Sequence, residues 1–131
     1  MVTSRTTIFL FGAAERGDLC TPIHLTSLEQ VFDFLGNPPE STEGIQYAVQ
    51  ALLYGQDLIY FRVAEEGFSM EDYIHGLRIL KQKPFQSPLT AIGMPGVGDE
   101  EIIQAAIPIC HLYQSILLVT EKDLYDYLTA K

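Results

Sequence analysis

The sequence is poor in basic residues. Lysine and arginine together number 8 of 131 residues, against 17 aspartates and glutamates, so the formal net charge is −9 at pH 7. A surface this acidic repels nucleic acids and anionic lipid headgroups, and the densest basic pair, Lys81 and Lys83, is too small to reverse that repulsion. We therefore expect neither a nucleic-acid partner nor a membrane partner.

Cysteine is scarce and long apolar runs are missing. The two cysteines, Cys20 and Cys110, are too few for a disulfide framework and predict half-buried thiols in a reducing compartment. No apolar run reaches the length of about 18 residues that a membrane span needs. Residues 8–14 are apolar but short and interrupted by Gly12, which favours a first strand over a secretory signal. The expected location is the cytoplasm.

The hydrophobic content and the length of the chain are sufficient for one hydrophobic core. Hydrophobic residues make up 47% of the chain, and 131 residues is the size of one domain. Apolar runs of strand length alternate with segments of helical period. Strands are predicted at Thr7–Phe11, Pro22–Leu25, 57–63, 89–94 and 115–119. This order predicts a single α/β domain over residues 1–131, with a mostly parallel central sheet flanked by helices.

Capping residues mark the predicted helix starts. Thr26 and Glu29 fit a capping box, Ser41 offers a second start, and Ser69 and Asp99 precede the third and fourth helices. The inward faces expected for the first three helices are Leu28, Val31, Phe32 and Leu35; Ile45, Ala48, Val49, Leu52 and Leu53; and Met70, Ile74, Leu77 and Ile79 or Leu80.

Glycine and proline mark the predicted helix ends. Gly36 and Gly55 end the first two helices, and Pro84 and Pro88 break the third. Pro108 lacks a backbone N–H and is expected to kink or shorten the fourth helix. A short fifth helix is predicted over residues 122–128.

Two glycine-containing loops follow predicted strands, the position at which α/β sheets bind ligands. In the first, residues 11–17, Ala14 replaces the middle glycine of a dinucleotide fingerprint and Pro22 prevents a following helix, so we interpret it as a surface loop. The second, residues 93–101, lacks the lysine of a phosphate-binding loop. Three carboxylates from Asp99 onward would repel a phosphate there. We interpret it as a strand-to-helix turn capped by Asp99.

The remaining histidine, cysteine and acidic residues do not form a recognisable metal-binding or catalytic pattern. A zinc site from Cys20, His24, Cys110 and His111 would lack the short paired spacings of structural zinc. His75 is expected to face solvent, and the pairs Glu65–Glu66 and Glu100–Glu101 are expected to be solvated. We therefore assign no catalytic, cofactor-binding or metal-binding residue and no cofactor.

Several short patterns, in order, resemble the conserved domain of contractile phage tail sheath proteins. The resemblance spans roughly residues 8–120 and includes a strand, a G-x-A-x-x-G turn, a Thr-Pro step, a helix ending in Phe-Gly, a strand ending in Arg-Val and a Pro-Gly-Val turn. The matching residues are Gly12, Ala14, Gly17, Thr21, Pro22, Thr26, Ser27, Phe34, Gly36, Arg62, Val63, Pro95, Gly96, Val97 and Asp99. Only Gly55 remains where that family usually has a richer glycine pair.

The resemblance implies a non-enzymatic α/β domain that works in a protein assembly, with a protein partner or self-association. It also implies an alternative location, a phage tail-like particle. Sheath proteins are much longer, and their additional C-terminal domain and terminal arms lace neighbours together. One different function stays open: the loops Gly12–Asp18 and Gly93–Asp99 could converge on a site for a small ligand or substrate.

Overall fold

The computed structural model of the chain describes residues 6–82 and 88–130. Within them the chain forms five strands and five helices. The strands are β1 (Thr7–Gly12), β2 (Pro22–Leu25), β3 (Asp57–Arg62), β4 (Leu89–Gly93) and β5 (Ile116–Leu118). The helices are α1 (Leu28–Leu35), α2 (Gly44–Leu53), α3 (Met70–Gln82), α4 (Glu100–Tyr113) and α5 (Glu121–Thr129).

β1 lies at the centre of the sheet. The strand order is β2-β3-β1-β4-β5, with β2 antiparallel to β3 and the other pairs parallel. Ile8 and Leu10 pack with α1, α2 and α5 on one face, and Phe9 and Phe11 pack with α3 and α4 on the other. All six residues of β1 are buried because helices cover both faces. The predicted α/β fold with a mostly parallel sheet is confirmed.

An aromatic cluster fixes α3 against the sheet. The Phe11 ring lies 5.2 Å from the rings of both Phe61 and Tyr73 between centroids. A Cβ on Gly76 would collide with the Phe11 ring, so glycine lets the helix approach the strands closely. Burial of large aromatic surfaces stabilises this contact.

The start of α1 differs from the prediction by one residue. Ser27, not Thr26, is the N-cap, and Gln30, not Glu29, completes the capping box. The Thr26 N–H instead donates to the Gln30 side chain. The sequence contains both overlapping boxes, and only the geometry distinguishes them. Val31 and Leu35 are buried as predicted.

The helix faces also contain prediction errors. Leu28 and Phe32 in α1 and Leu53 in α2 are exposed, although they were expected to face the core. The predicted start at Ser41 is wrong, because α2 begins at Gly44 and its N-cap, Glu43, makes no side-chain capping bond.

The other helices follow the predictions more closely. Leu77 and Leu80 of α3 are buried, and Asp99 caps α4 through the N–H groups of Glu101 and Ile102. α4 runs unbroken from Glu100 to Tyr113, so the expected shortening at Pro108 is wrong. Pro84, predicted to break α3, lies outside the described residues.

Candidate functional site at the carboxyl edge of the sheet

The loops after β1 and β4 lie side by side because β1 and β4 are neighbours in the sheet. After β1 the chain continues to the α1–α2 face, and after β4 to the α3–α4 face. A ligand in an open α/β sheet binds at such a point, outside the carboxyl ends of the strands. The loops Gly12–Asp18 and Gly93–Asp99 therefore leave neighbouring parallel strands at the same edge of the sheet.

A third loop, which follows β3, supplies a carboxylate to this edge. Glu66 Oε1 accepts hydrogen bonds from the N–H groups of Ala13 and Gly44, each at 2.9 Å, and Oε2 accepts from the Glu43 N–H at 2.5 Å. Two of these donors belong to the uncapped start of α2. Free N–H groups at a helix start are the groups that bind phosphates and carboxylates in α/β proteins. Here the chain's own carboxylate occupies them.

The environment of Glu66 combines burial with hydrogen bonding. Burial raises the pKa of its carboxyl above the ordinary value, while the N–H groups of Glu43, Ala13 and Gly44 oppose that rise. The prediction that Glu65 and Glu66 form a solvated pair is correct for Glu65, which is exposed, and wrong for Glu66. The sequence offers Ser41 as the start of this helix, so only the structure reveals that the N-cap, Glu43, makes no side-chain bond of its own.

Close backbone contacts leave little space around this carboxylate. A Cβ on Gly44 would lie 2.8 Å from the Gly12 Cα and 2.6 Å from Glu66 Oε1. The Tyr60 hydroxyl donates to the Ala13 carbonyl at 2.6 Å. The start of α2 therefore packs directly on the end of β1, and both glycines are required by space.

The loop after β3 also contacts the loop after β4. A Cβ on Gly67 would lie 2.7 Å from the Gly96 carbonyl oxygen, and the Gly67 N–H donates to the Tyr73 hydroxyl at 2.6 Å. The loop after β4 extends the pairing of β4 with β5, because the Met94 N–H donates to the Leu118 carbonyl at 2.8 Å. The interpretation of residues 93–101 as a strand-to-helix turn capped by Asp99 is confirmed.

The loop after β1 binds the end of α1. The Arg16 guanidinium donates to the carbonyls of Phe32 and Asp33, at 2.8 and 3.2 Å. Glu15 accepts from the Asn37 N–H at 3.0 Å. A cation at a helix C-terminus satisfies carbonyls that have no partner in the helix. Arg16 and Glu15 of this loop thus bond to the backbone at the C-terminal end of α1.

The two cysteines do not form a reactive pair. The Cys20 thiol donates to Asp72 at 3.2 Å, and burial together with the Asp72 carboxylate raises its pKa to about 11. Burial also raises the pKa of Cys110. Both thiols are half-buried, as predicted, and neither has the lowered pKa of a nucleophile.

The structure does not group Cys20, His24, Cys110 and His111, the residues weighed as a zinc site, into a metal centre. Within residues 6–82 and 88–130, no three His, Cys, Asp or Glu side chains form a group able to hold a metal ion. His111 lies with Cys110 along a small groove beside β5. His75 is exposed on α3, as expected, with its ring 6.1 Å from that of Phe61.

An open groove lies elsewhere, on the outer surface between α3 and α4. Its volume is about 690 Å³, and its walls include Ile74, Leu77, Arg78 and Leu112. The sequence does not predict this groove, because the apolar residues of α3, Ile74 and Leu77 among them, are expected to face the core. Leu112 of α4, on another wall of the groove, is 58% exposed.

In the part of the chain that the structure describes, no helix combines the length and hydropathy needed to cross a membrane. Comparisons of the chain with protein-family models, curated protein sequences and solved structures give no match.

Proposed function

We propose that the chain is a non-enzymatic structural or protein-interaction module, working in the manner of a tail sheath domain through contacts between protein surfaces. The observation that carries this proposal is the position of Glu66. Its carboxylate accepts hydrogen bonds from the N–H groups of Ala13, Glu43 and Gly44. A small anionic ligand at the carboxyl edge of the sheet would need these same N–H groups.

The apolar surface supports the same proposal. Leu112, which is 58% exposed, lies with Ile74 and Leu77 along the groove of about 690 Å³ between α3 and α4. Apolar side chains gathered around an open groove are typical of protein contact surfaces. The resemblance to sheath proteins implies this kind of function, in the cytoplasm or within a phage tail-like particle.

The proposal is tested by the state of the chain in its native cells. A tagged copy expressed at native level should elute from gel filtration of the extract well above 14.7 kDa, with one protein, or the chain itself, in fixed stoichiometry after cross-linking. The purified protein should show no rise in melting temperature with nucleotides, sugar phosphates or carboxylic acids.

The proposal fails if the chain elutes as a free monomer and a metabolite raises its melting temperature in a concentration-dependent way. That pair of results would favour the small-ligand alternative.

A further inference from the structure

The outer face of α3 carries a ridge between two grooves. Ile74 and Arg78 line both the groove of about 690 Å³ toward α4 and a second groove of about 380 Å³ on the opposite side of the ridge. Glu71 and His75 also line the second groove. Helices pack by inserting a ridge of one into a groove of another, so a ridge flanked by grooves suits a second helical surface.

Charge is separated along this face. Glu71 is exposed near the start of α3, and Arg78 and Lys81 are exposed toward its end. Within the described residues, neither cation makes an ion pair or a hydrogen bond. The described cations elsewhere are engaged: Arg16 and Arg62 bind carbonyls and Lys122 pairs with Asp126.

We propose that the α3–α4 face binds a second copy of this chain about a two-fold axis, with the two α3 helices antiparallel. An axis midway between Ile74 and His75 sets Glu71 of each copy opposite Arg78 of the other. The seven-residue spacing therefore makes the face complementary to itself, and the ridge of one copy enters a groove of the other. This inference rests on the proposed function and names its partner.

Phe68 is 79% exposed and precedes α3 by two residues, so it can supply an aromatic anchor to the dimer. The same axis brings it level with Lys81 of the second copy, at the groove between α3 and α4. Its turn is held by bonds from the Phe68 N–H to the Glu65 carbonyl, at 3.0 Å, and from the Gly67 N–H to the Tyr73 hydroxyl, at 2.6 Å. An aromatic side chain on a fixed turn loses little freedom on binding, and its ring attracts a lysine.

Charge favours the second copy over another partner. A foreign acidic segment would pair with Arg78 and Lys81 but would meet Glu71 on the same face. A head-to-tail stack of copies would pair the acidic end of one α3 with the basic end of the next only once per contact. The two-fold arrangement pairs Glu71 with Arg78 twice, and two-fold dimers are the commonest symmetric assembly.

Sedimentation velocity of the purified chain, from micromolar to millimolar concentration, tests the proposal. The wild type should approach twice 14.7 kDa. Glu71→Arg and Arg78→Glu should each weaken dimerisation about tenfold or more, because each places like charges opposite one another twice. Glu40→Arg, an exposed change on the connection between α1 and α2, is the matched control.

Two further samples make the test specific. An equimolar mixture of Glu71→Arg and Arg78→Glu should form a heterodimer in which both facing pairs attract, and the double variant should dimerise like wild type. Circular dichroism should show all variants folded, because both sites are exposed.

Three results overturn the inference: a wild-type monomer at every concentration, an assembly that grows beyond a dimer, or a mixture in which the single variants stay apart. The proposed function fails separately. If the purified chain is monomeric but the native extract holds it in a complex with another protein, only the two-fold dimer is wrong.

Discussion

The carboxyl edge of the sheet and the α3–α4 face differ in whether their charged side chains bond within the chain. At the edge, the half-buried Glu66 accepts hydrogen bonds from backbone N–H groups that lie far from it in the sequence. On the α3–α4 face, Arg78 and Lys81 have no partner among the described residues. Buried polar groups must be satisfied within the chain, whereas exposed groups can bind elsewhere.

This difference in bonding indicates that the α3–α4 face, and not the carboxyl edge of the sheet, is available for binding. An α/β sheet suggests a ligand at the switch point, yet here the backbone groups that would hold it are bonded internally. Exposed apolar side chains lie on both helical layers, Phe32 and Leu53 on one and Leu112 on the other, and such surfaces suit a protein partner better than a metabolite. Four substitutions, from the largest expected effect to the smallest, test whether the two regions differ in this way.

Gly44→Ala should be the most damaging change, because the edge has no room for a methyl group. The new Cβ would lie 2.5 Å from the Tyr60 hydroxyl and 2.8 Å from the Gly12 Cα. We expect a loss of about 3 kcal/mol in the free energy of unfolding, measured by urea denaturation. Gly98→Ala is the control, since a Cβ there has no atom within 4 Å. Equal stability of both variants would mean that the edge is open.

Glu66→Ala removes the carboxylate that caps α2 and should cost about 2 kcal/mol, because three backbone N–H groups lose their acceptor. Added acetate should recover part of the melting temperature in the variant but leave the wild type unchanged. Glu65→Ala, at an exposed neighbouring side chain, should change stability by less than about 0.5 kcal/mol. A loss no larger than this control would show that Glu66 does not hold the edge together.

The sequence predicts well those features that depend on neighbours along the chain. Asp99 caps α4 because its side chain reaches N–H groups two and three residues ahead. The continuous apolar run of β3 marks a strand covered on both faces. The α/β class follows from the alternation of such segments, without knowledge of any long-range contact.

Glu66 was missed because its partners are remote. The Ala13 N–H lies 53 residues away and the Gly44 N–H 22 residues away, so local charge patterning predicts only an exposed pair. The predictions that Phe32 and Leu53 face the core are wrong for a related reason. Helical period identifies a stripe, but whether Phe32 or Leu53 at its edge is covered depends on the packing of neighbouring elements.

Asp72→Asn should have an intermediate effect, which depends on pH. Burial acts to raise the pKa of Asp72, but bonds from the Ala64 N–H and the Cys20 thiol outweigh it, so the pKa lies below its ordinary value of 3.8. A lowered folded pKa stabilises the protein above the unfolded pKa, and this stability disappears as the pH falls through the folded pKa.

We therefore expect Asp72→Asn to be about 1 kcal/mol less stable than wild type at pH 7, with the difference closing below about pH 4. Urea denaturation across this pH range measures both values. Asp126→Asn, which removes an exposed pair with Lys122, should show almost no difference at pH 7. A constant gap between Asp72→Asn and wild type at every pH would contradict the role of the carboxylate charge.

Leu112→Ser should have the smallest effect on stability and should still separate the two regions. Leu112 is 58% exposed and Leu53, on α2, is 60% exposed, so serine at either position should change the free energy of unfolding by less than about 0.5 kcal/mol. Only Leu112 lies on the groove between α3 and α4, so sedimentation should detect weaker dimerisation for Leu112→Ser alone. Equal loss in both variants would mean that general surface hydrophobicity drives association. No loss in either would remove the groove from the interface, since apolar burial at the centre of a contact contributes more than its rim.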